Sequence, residues 1–299
     1  MSENININSA NSEIFHDVEE YDEFYDNQIN AAKKIIELFD NGKYYVQLQA
    51  QMQSGKTGTC LFTLFKMMHK YNTNGYILSG MSDIDLKEQW KNKIKEHSED
   101  YIAGEKRNIV KKFNNLIKKL EDNIYFNNDL KKLTNLEDLR NSILIIDEIH
   151  YGACEYSQLS NVFKNLGIED ILLGKTCSKL IEYNIKIISV SATHSVEDNM
   201  YNNLAQYPEI QNVWGRVYMN PGDGYKGVID YYNNNNIIPS VNFTEENKAK
   251  ITEILMSYKP KKKYMIFRCH NKKLEYLKNI FLKLEIPIIK YDQNNTNIF

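Results

Sequence analysis

The sequence predicts an α/β domain built on a mainly parallel sheet, and three observations carry that expectation. Short β-type runs alternate with longer segments of helical periodicity. The stretch "SILIIDE" (142–148) holds four apolar residues in a row and ends in two acids, the pattern of a parallel strand covered on both faces. The stretch "LQAQMQSGKTGT" (48–59) sets a polar, glycine-bearing loop between a strand pattern and a helix pattern. A phosphate cradle stands at such a junction.

Taken in order, residues 1–15 are polar and acidic and are expected to be a disordered arm, and 16–215 to form the α/β domain. "EEYDEFYDNQINAAKKIIELFDNG" reads as a helix with Ile29, Ala32, Ile35, Ile36 and Phe39 on its apolar side, stopped by Asn41-Gly42. "KYYVQLQA" is a strand running into the loop, and "TGTCLFTLFKMMHKY" is an apolar-rich helix leaving it. "GYILSG" is a buried strand, followed by an amphipathic helix with Ile84, Leu86, Trp90 and Ile94 on one side. "NIVKKFNNLIKKLEDN" is a further helix, and "YNIKIISVSAT" is a strand ending in small polar residues. From 216 the text turns rich in Pro, Gly and Asn, so 216–260 is expected as a connector holding a helix at about 244–257. Residues 261–299 read strand, helix, strand, the start of a second α/β unit.

Bulk properties narrow the function classes. The chain is 42% hydrophobic and 25% charged, ordinary for a globular protein, and long enough for one or two domains. Basic and acidic residues number 37 and 39, so no global positive field advertises nucleic acid. Contacts to a polyanion would come from local runs such as "KKFNNLIKK" (111–119) and "KPKKK" (259–263), which better suit an ordinary solvated surface. Cys60, Cys154, Cys177 and Cys269 are scattered, which argues against a zinc knuckle and a disulfide framework and suits a reducing compartment. No run is apolar for the ~18 residues a membrane span needs. The N-terminus is unlike a secretory signal. An intracellular, soluble protein is expected, in the cytoplasm or, for a viral chain, in the host cell.

The chemistry gathers in three places. In the loop, Gln53, Ser54, Gly55, Lys56, Thr57 and Gly58 form a nucleotide-binding candidate. Gly55 lets the backbone approach closely, Lys56 reaches the β- and γ-phosphates, and Thr57 offers a hydroxyl to Mg²⁺. A second Gly-Lys-Thr at 174–176 lacks the strand–loop–helix setting and is read as chance. In "ILIIDEIH" (143–150), Asp147 is expected to orient Mg²⁺ and Glu148 to polarise the attacking water. In "SVSATH" (189–194), Ser191 and Thr193 are placed to hydrogen-bond His150 and report nucleotide state.

This set resembles the superfamily 2 helicase-like ATPases of the DExH type. The family's A-x-x-G-x-G-K-T loop is matched by Ala50, Gly55, Lys56 and Thr57, with Gln53 in place of a glycine. That departure is expected to loosen the crown of the loop and spare its phosphate contacts. Asp147, Glu148, Ile149 and His150 match the D-E-x-H box, and Ser191, Ala192 and Thr193 match the S-A-T motif. Gln28 fits the family's adenine-contacting glutamine, and Gln89-Trp90 stands where the next motif does. The Q-S-G-K-T loop and the later Tyr225-x-Gly227 are also similar to motors of restriction-type nucleases and of large viruses.

The resemblance implies a RecA-like ATP-binding domain, ATP and Mg²⁺ as cofactors, and DNA or RNA held mainly by its phosphate backbone. It also implies a second RecA-like domain bringing an arginine finger. Only its opening is expected in 261–299, where Arg268 is the sole arginine; Arg216 is the other candidate finger. A second chain or a further segment is then expected to complete that domain. Three functions stay open on the residues: a nucleic-acid motor, a shortened nucleotide-binding module with little turnover, or a P-loop enzyme such as a small-molecule kinase. Stimulation of ATP hydrolysis by DNA or RNA separates the first from the third.

Overall fold

The computed structural model describes residues 24–51, 53–103, 107–149, 157–168, 178–191, 211–227 and 245–258, with isolated positions at 230, 233, 278, 279 and 282. The arm at 1–15, His150, Ala192, Thr193, the 174–176 tripeptide and the 261–299 strands therefore lie outside the described residues or nearly so. The chain divides into two compact units, 1–227 and 228–299.

The first unit is a six-stranded parallel sheet with helices on both faces. Its elements are α1 (Asp26–Asp40), β1 (Tyr45–Ala50), α2 (Lys56–Tyr71), β2 (Asn74–Ser79), α3 (Ile84–Tyr101), α4 (Arg107–Asp122), β3 (Ile124–Phe126), β4 (Ser142–Asp147), α5 (Gln158–Asn165), α6 (Ser178–Tyr183), β5 (Ile185–Ser191) and β6 (Trp214–Met219). The strand order is β3-β2-β4-β5-β1-β6, and every pairing is parallel. The α/β expectation with helices flanking a parallel sheet holds. All strands consequently end on one rim, where open α/β sheets carry their ligands.

Period-two alternation sorts the strand side chains into two cores. Val46, Leu48, Ile77, Ile143, Ile145, Ile188 and Val190 pack with α1 to α4. Leu78, Leu144, Ile146, Ile185 and Ile187 pack on the opposite face with α5, α6 and the 3-10 turns Asn127–Lys132 and Leu136–Leu139. A strand buried on both sides cannot alternate in polarity, which is why "SILIID" reads as a continuous apolar run.

Two readings change. The expected boundary at 215/216 falls inside β6, whose residues pair in register with β1 from Tyr45↔Trp214 to Ala50↔Met219. Trp214, Val217 and Met219 are buried there, and the Asn, Pro and Gly composition that signals a connector begins only at Asn220. Ile84 is 77% exposed at the start of α3, while Trp90 and Ile94 carry the buried side. In the basic run of α4, Phe113, Leu116 and Ile117 face the core and the four lysines face solvent.

The second unit contains a 3-10 turn, Glu245–Asn247, leading into α7 (Lys248–Tyr258), which buries Ile251. No helix among the described residues is long and apolar enough to cross a membrane.

Candidate active site

β1 lies inside the sheet between β5 and β6, and the loop that follows it turns directly into α2. Ser54 tightens the turn twice, donating from its backbone N–H (3.3 Å) and its hydroxyl (2.7 Å) to the Gln51 carbonyl. Gln53 has φ 57° and Gly55 has φ 95°. Gln53 thus keeps the left-handed backbone that glycine supplies freely, at a cost of about 1–2 kcal/mol for an L-residue. Gln53 carries that strain in the loop.

Gly55 is the N-cap of α2 and has no side chain to occupy the helix's first N–H groups, and the first turn holds no acid. Those amides, with the positive end of the helix dipole, are left to an anion. α3 makes the contrast: Asp83 caps it by accepting from the N–H groups of Asp85 and Leu86. Lys56 and Thr57, both half-buried, project from the first turn of α2.

The N-terminal end of α1 lies against this loop. Gln28 is buried, and its amide nitrogen donates to the Gly55 carbonyl at 3.1 Å while its amide oxygen accepts from the Tyr25 N–H at 3.0 Å. A Cβ on Gly55 or Gly58 would stand 2.4 or 2.6 Å from the Gln28 amide nitrogen, so a side chain at either position would displace that amide. Asn27 donates from its own amide to the Ser54 carbonyl at 3.3 Å and to the Asn220 carbonyl at 3.1 Å.

Asp147 and Glu148 stand at the rim end of β4, one strand away from β1 across β5. Glu148 has φ 51°, a left-handed position unusual for a long side chain and costing on the order of 1–3 kcal/mol. Trp90, buried on α3, donates its indole N–H to Asp147 Oδ2 at 2.9 Å. Burial pushes the Asp147 carboxyl above the usual carboxylate range, opposed first by the Trp90 hydrogen bond; the Glu148 charge adds to the rise, while the nearby Lys56 ammonium and the Glu148 backbone N–H oppose it. Lys56 and Asp147 are therefore near enough to feel each other's charge. Cys60, fully buried in α2, feels both charges, and burial raises its thiol far above the ordinary range, so it is no nucleophile.

Ser191 ends β5 and is buried opposite Gln49 of β1. Its expected partner His150 and the companion residue Thr193 lie outside the described residues. Arg216 is committed within the sheet: its Nε donates to Gln47 Oε1 at 3.1 Å and its Nη1 to the Tyr218 hydroxyl at 3.0 Å. Among the described residues no three His, Cys, Asp or Glu side chains gather as a metal cage. Mg²⁺ usually takes one or two protein ligands besides phosphate and water, which Thr57 and Asp147 fit.

A family model described as the type III restriction enzyme, res subunit, matches residues 22–195. The chain belongs to this family. No curated protein matches it. The match runs from just before α1 to just past β5, so it takes in Gln28, the loop, the Asp147-Glu148 pair and Ser191. Res-subunit domains are helicase-like ATPase domains, and the parallel sheet with its rim-facing loop agrees with that class. Sequence reading placed Trp90 in a motif but missed its partner. A buried indole N–H must find an acceptor, and that requirement was the available signal. Nothing in the sequence announced Asn27, whose second partner lies far along the chain.

Proposed function

We propose that this Res-family chain binds and hydrolyses Mg·ATP to drive movement along DNA or RNA, as a DExH-type motor. The observation that carries it is the uncapped N-terminus of α2, with Lys56 on it, sharing one charged site with Asp147. Lys56 meets the β- and γ-phosphates, and the loop N–H groups from Gln53 to Gly58 take the remaining oxygens. Mg²⁺, when bound, neutralises phosphate charge and orders water. Thr57 and Asp147 would hold it. Glu148 takes the proton from the attacking water. Gln28 reads adenine: each half of its amide has one valence engaged by the protein, leaving one donor and one acceptor for the N7 and N6 edge. Ser191, Thr193 and His150 form the coupling set, and a second RecA-like domain supplies the finger.

Steady-state ATP hydrolysis with and without DNA or RNA is the test. Binding of ATP with stimulation by either polymer supports the motor. Loss of the assignment follows if Mg·ATP does not bind, and hydrolysis indifferent to nucleic acid overturns the motor while leaving the ATP site.

A further inference from the structure

Two consecutive carbonyls of the phosphate loop, Ser54 and Gly55, are each held by α1: Asn27 holds the first and Gln28 the second. In a trans peptide the C=O and the following N–H point in opposite directions. Drawing both carbonyls toward α1 therefore turns the N–H groups of Gly55 and Lys56 away from it together. Gly55, at φ 95°, followed by helical Lys56 is the left-then-right sequence that makes successive N–H groups converge on an anion.

Asn27 does more than hold the loop. An asparagine amide has two N–H protons, and Asn27 has one bond to Ser54 and one to Asn220. Asn220 opens the segment that runs from β6 to the second unit at Val228. Gly222 lies against the same side chain, since a Cβ there would come within 3.4 Å of Asn27 Oδ1. A single carboxamide thus joins the phosphate loop to the chain leaving the sheet.

We propose that Asn27 is a positioning residue that sets the loop's N–H groups for phosphate and ties their occupancy to the 220–225 segment. Phosphate filling the loop fixes the Ser54–Gly55 peptide, which fixes Asn27 and through it Asn220. The inference rests on the loop being the ATP site.

The test uses the full chain with Asn27→Ala, which removes both donors, adds no charge, and favours the helix it sits in. Affinity for Mg·ATP and for pyrophosphate is titrated, the latter engaging the loop without a base. Hydrogen exchange over 219–227 is followed with and without nucleotide. The expected result is unchanged melting, both affinities weaker by about tenfold, and a nucleotide-dependent slowing of exchange in 219–227 that the wild type shows and the variant lacks. Equal affinities for both ligands overturn the proposal, as does weaker binding with the slowing intact. Should Asn27→Ala fail to fold, Asn27→Asp keeps the volume and suits the first turn of a helix, and its exchange reading decides. A wild type that binds neither ligand instead overturns the ATP-site reading.

Discussion

The indole N–H of Trp90 donates to Asp147 Oδ2 at 2.9 Å, joining the buried side of α3 to the acidic end of β4. One carboxylate oxygen of Asp147 is thereby held by α3. The arrangement leaves a carboxyl that burial favours in its protonated form. That conflict between site and fold has consequences in pH and stability.

Asp147→Asn is expected to melt at higher temperature than the wild type at neutral pH while losing Mg²⁺-dependent turnover. The folded carboxyl has its pKa raised, so it binds its proton more tightly than the unfolded one. Its favourable contribution is complete below the ordinary carboxylate pKa and is lost as pH rises through the folded value. The amide keeps an acceptor for Trp90 and removes the buried charge. Each kcal/mol recovered is worth roughly 2–4 °C in a domain of this size. Melting curves across pH check it: the gap should close on acidification, and a constant gap would count against the cause given.

Trp90→Phe keeps the packing and deletes the donor. The influence of Trp90 lowers the Asp147 pKa, so its loss should raise that pKa further. The acid limb of the ATPase pH profile should move to higher pH, and more Mg²⁺ should be needed for half-maximal rate. A profile superimposable on the wild type's would show that the hydrogen bond has no part in setting Asp147.

Lys56→Ala and Glu148→Gln should separate binding from chemistry. Removing Lys56 deletes a charged contact to phosphate and should weaken Mg·ATP about tenfold or more, with the sheet intact because Lys56 is half-exposed. Glu148→Gln should leave binding in place and cut hydrolysis by about 10²–10⁴, the usual range for loss of a general base. Calorimetric titration beside a turnover assay tests both; hydrolysis at the wild-type rate in Glu148→Gln would remove Glu148 from its role.

Much of this was legible because rim chemistry follows strand order. Once "YVQLQA" and "SILIID" are parallel strands, Lys56 and Asp147 must share an edge, however far apart they are in sequence. β3 was not legible, being only three residues long and formed against β2. β6 was not, because Trp214-Gly215-Arg216 buries polar groups against Gln47 and so lacks an apolar run. Backbone signs were hidden too. Nothing in the letter Q at 53 or E at 148 reports a left-handed conformation, which surrounding structure imposes.

Gln53→Gly should stabilise the protein. Glycine adopts φ 57° without the steric cost borne by glutamine, offset in part by its larger loss of chain entropy on folding. A net gain of about 0.5–1 kcal/mol is expected, read as a higher denaturation midpoint with unchanged slope. A lower midpoint would mean that the Gln53 side chain makes a contact worth more than its strain.

Gln28→Ala should remove the preference for adenine over guanine. The Gln28 amide is oriented by its bonds from the Tyr25 N–H and to the Gly55 carbonyl, which fix oxygen and nitrogen in opposite places. The free acceptor then suits the adenine amino group and repels the guanine carbonyl, while the free donor serves N7 in either base. A bidentate amide contact of this kind discriminates by about 1–3 kcal/mol, roughly ten- to hundredfold. The alanine also leaves a space above Gly55 and Gly58, where the glutamine amide sits, so affinity for both nucleotides should drop. The ratio of ATP to GTP affinities isolates the base reading from that common loss. It should fall toward one in Gln28→Ala, and a ratio equal to the wild type's would confine Gln28 to holding the loop.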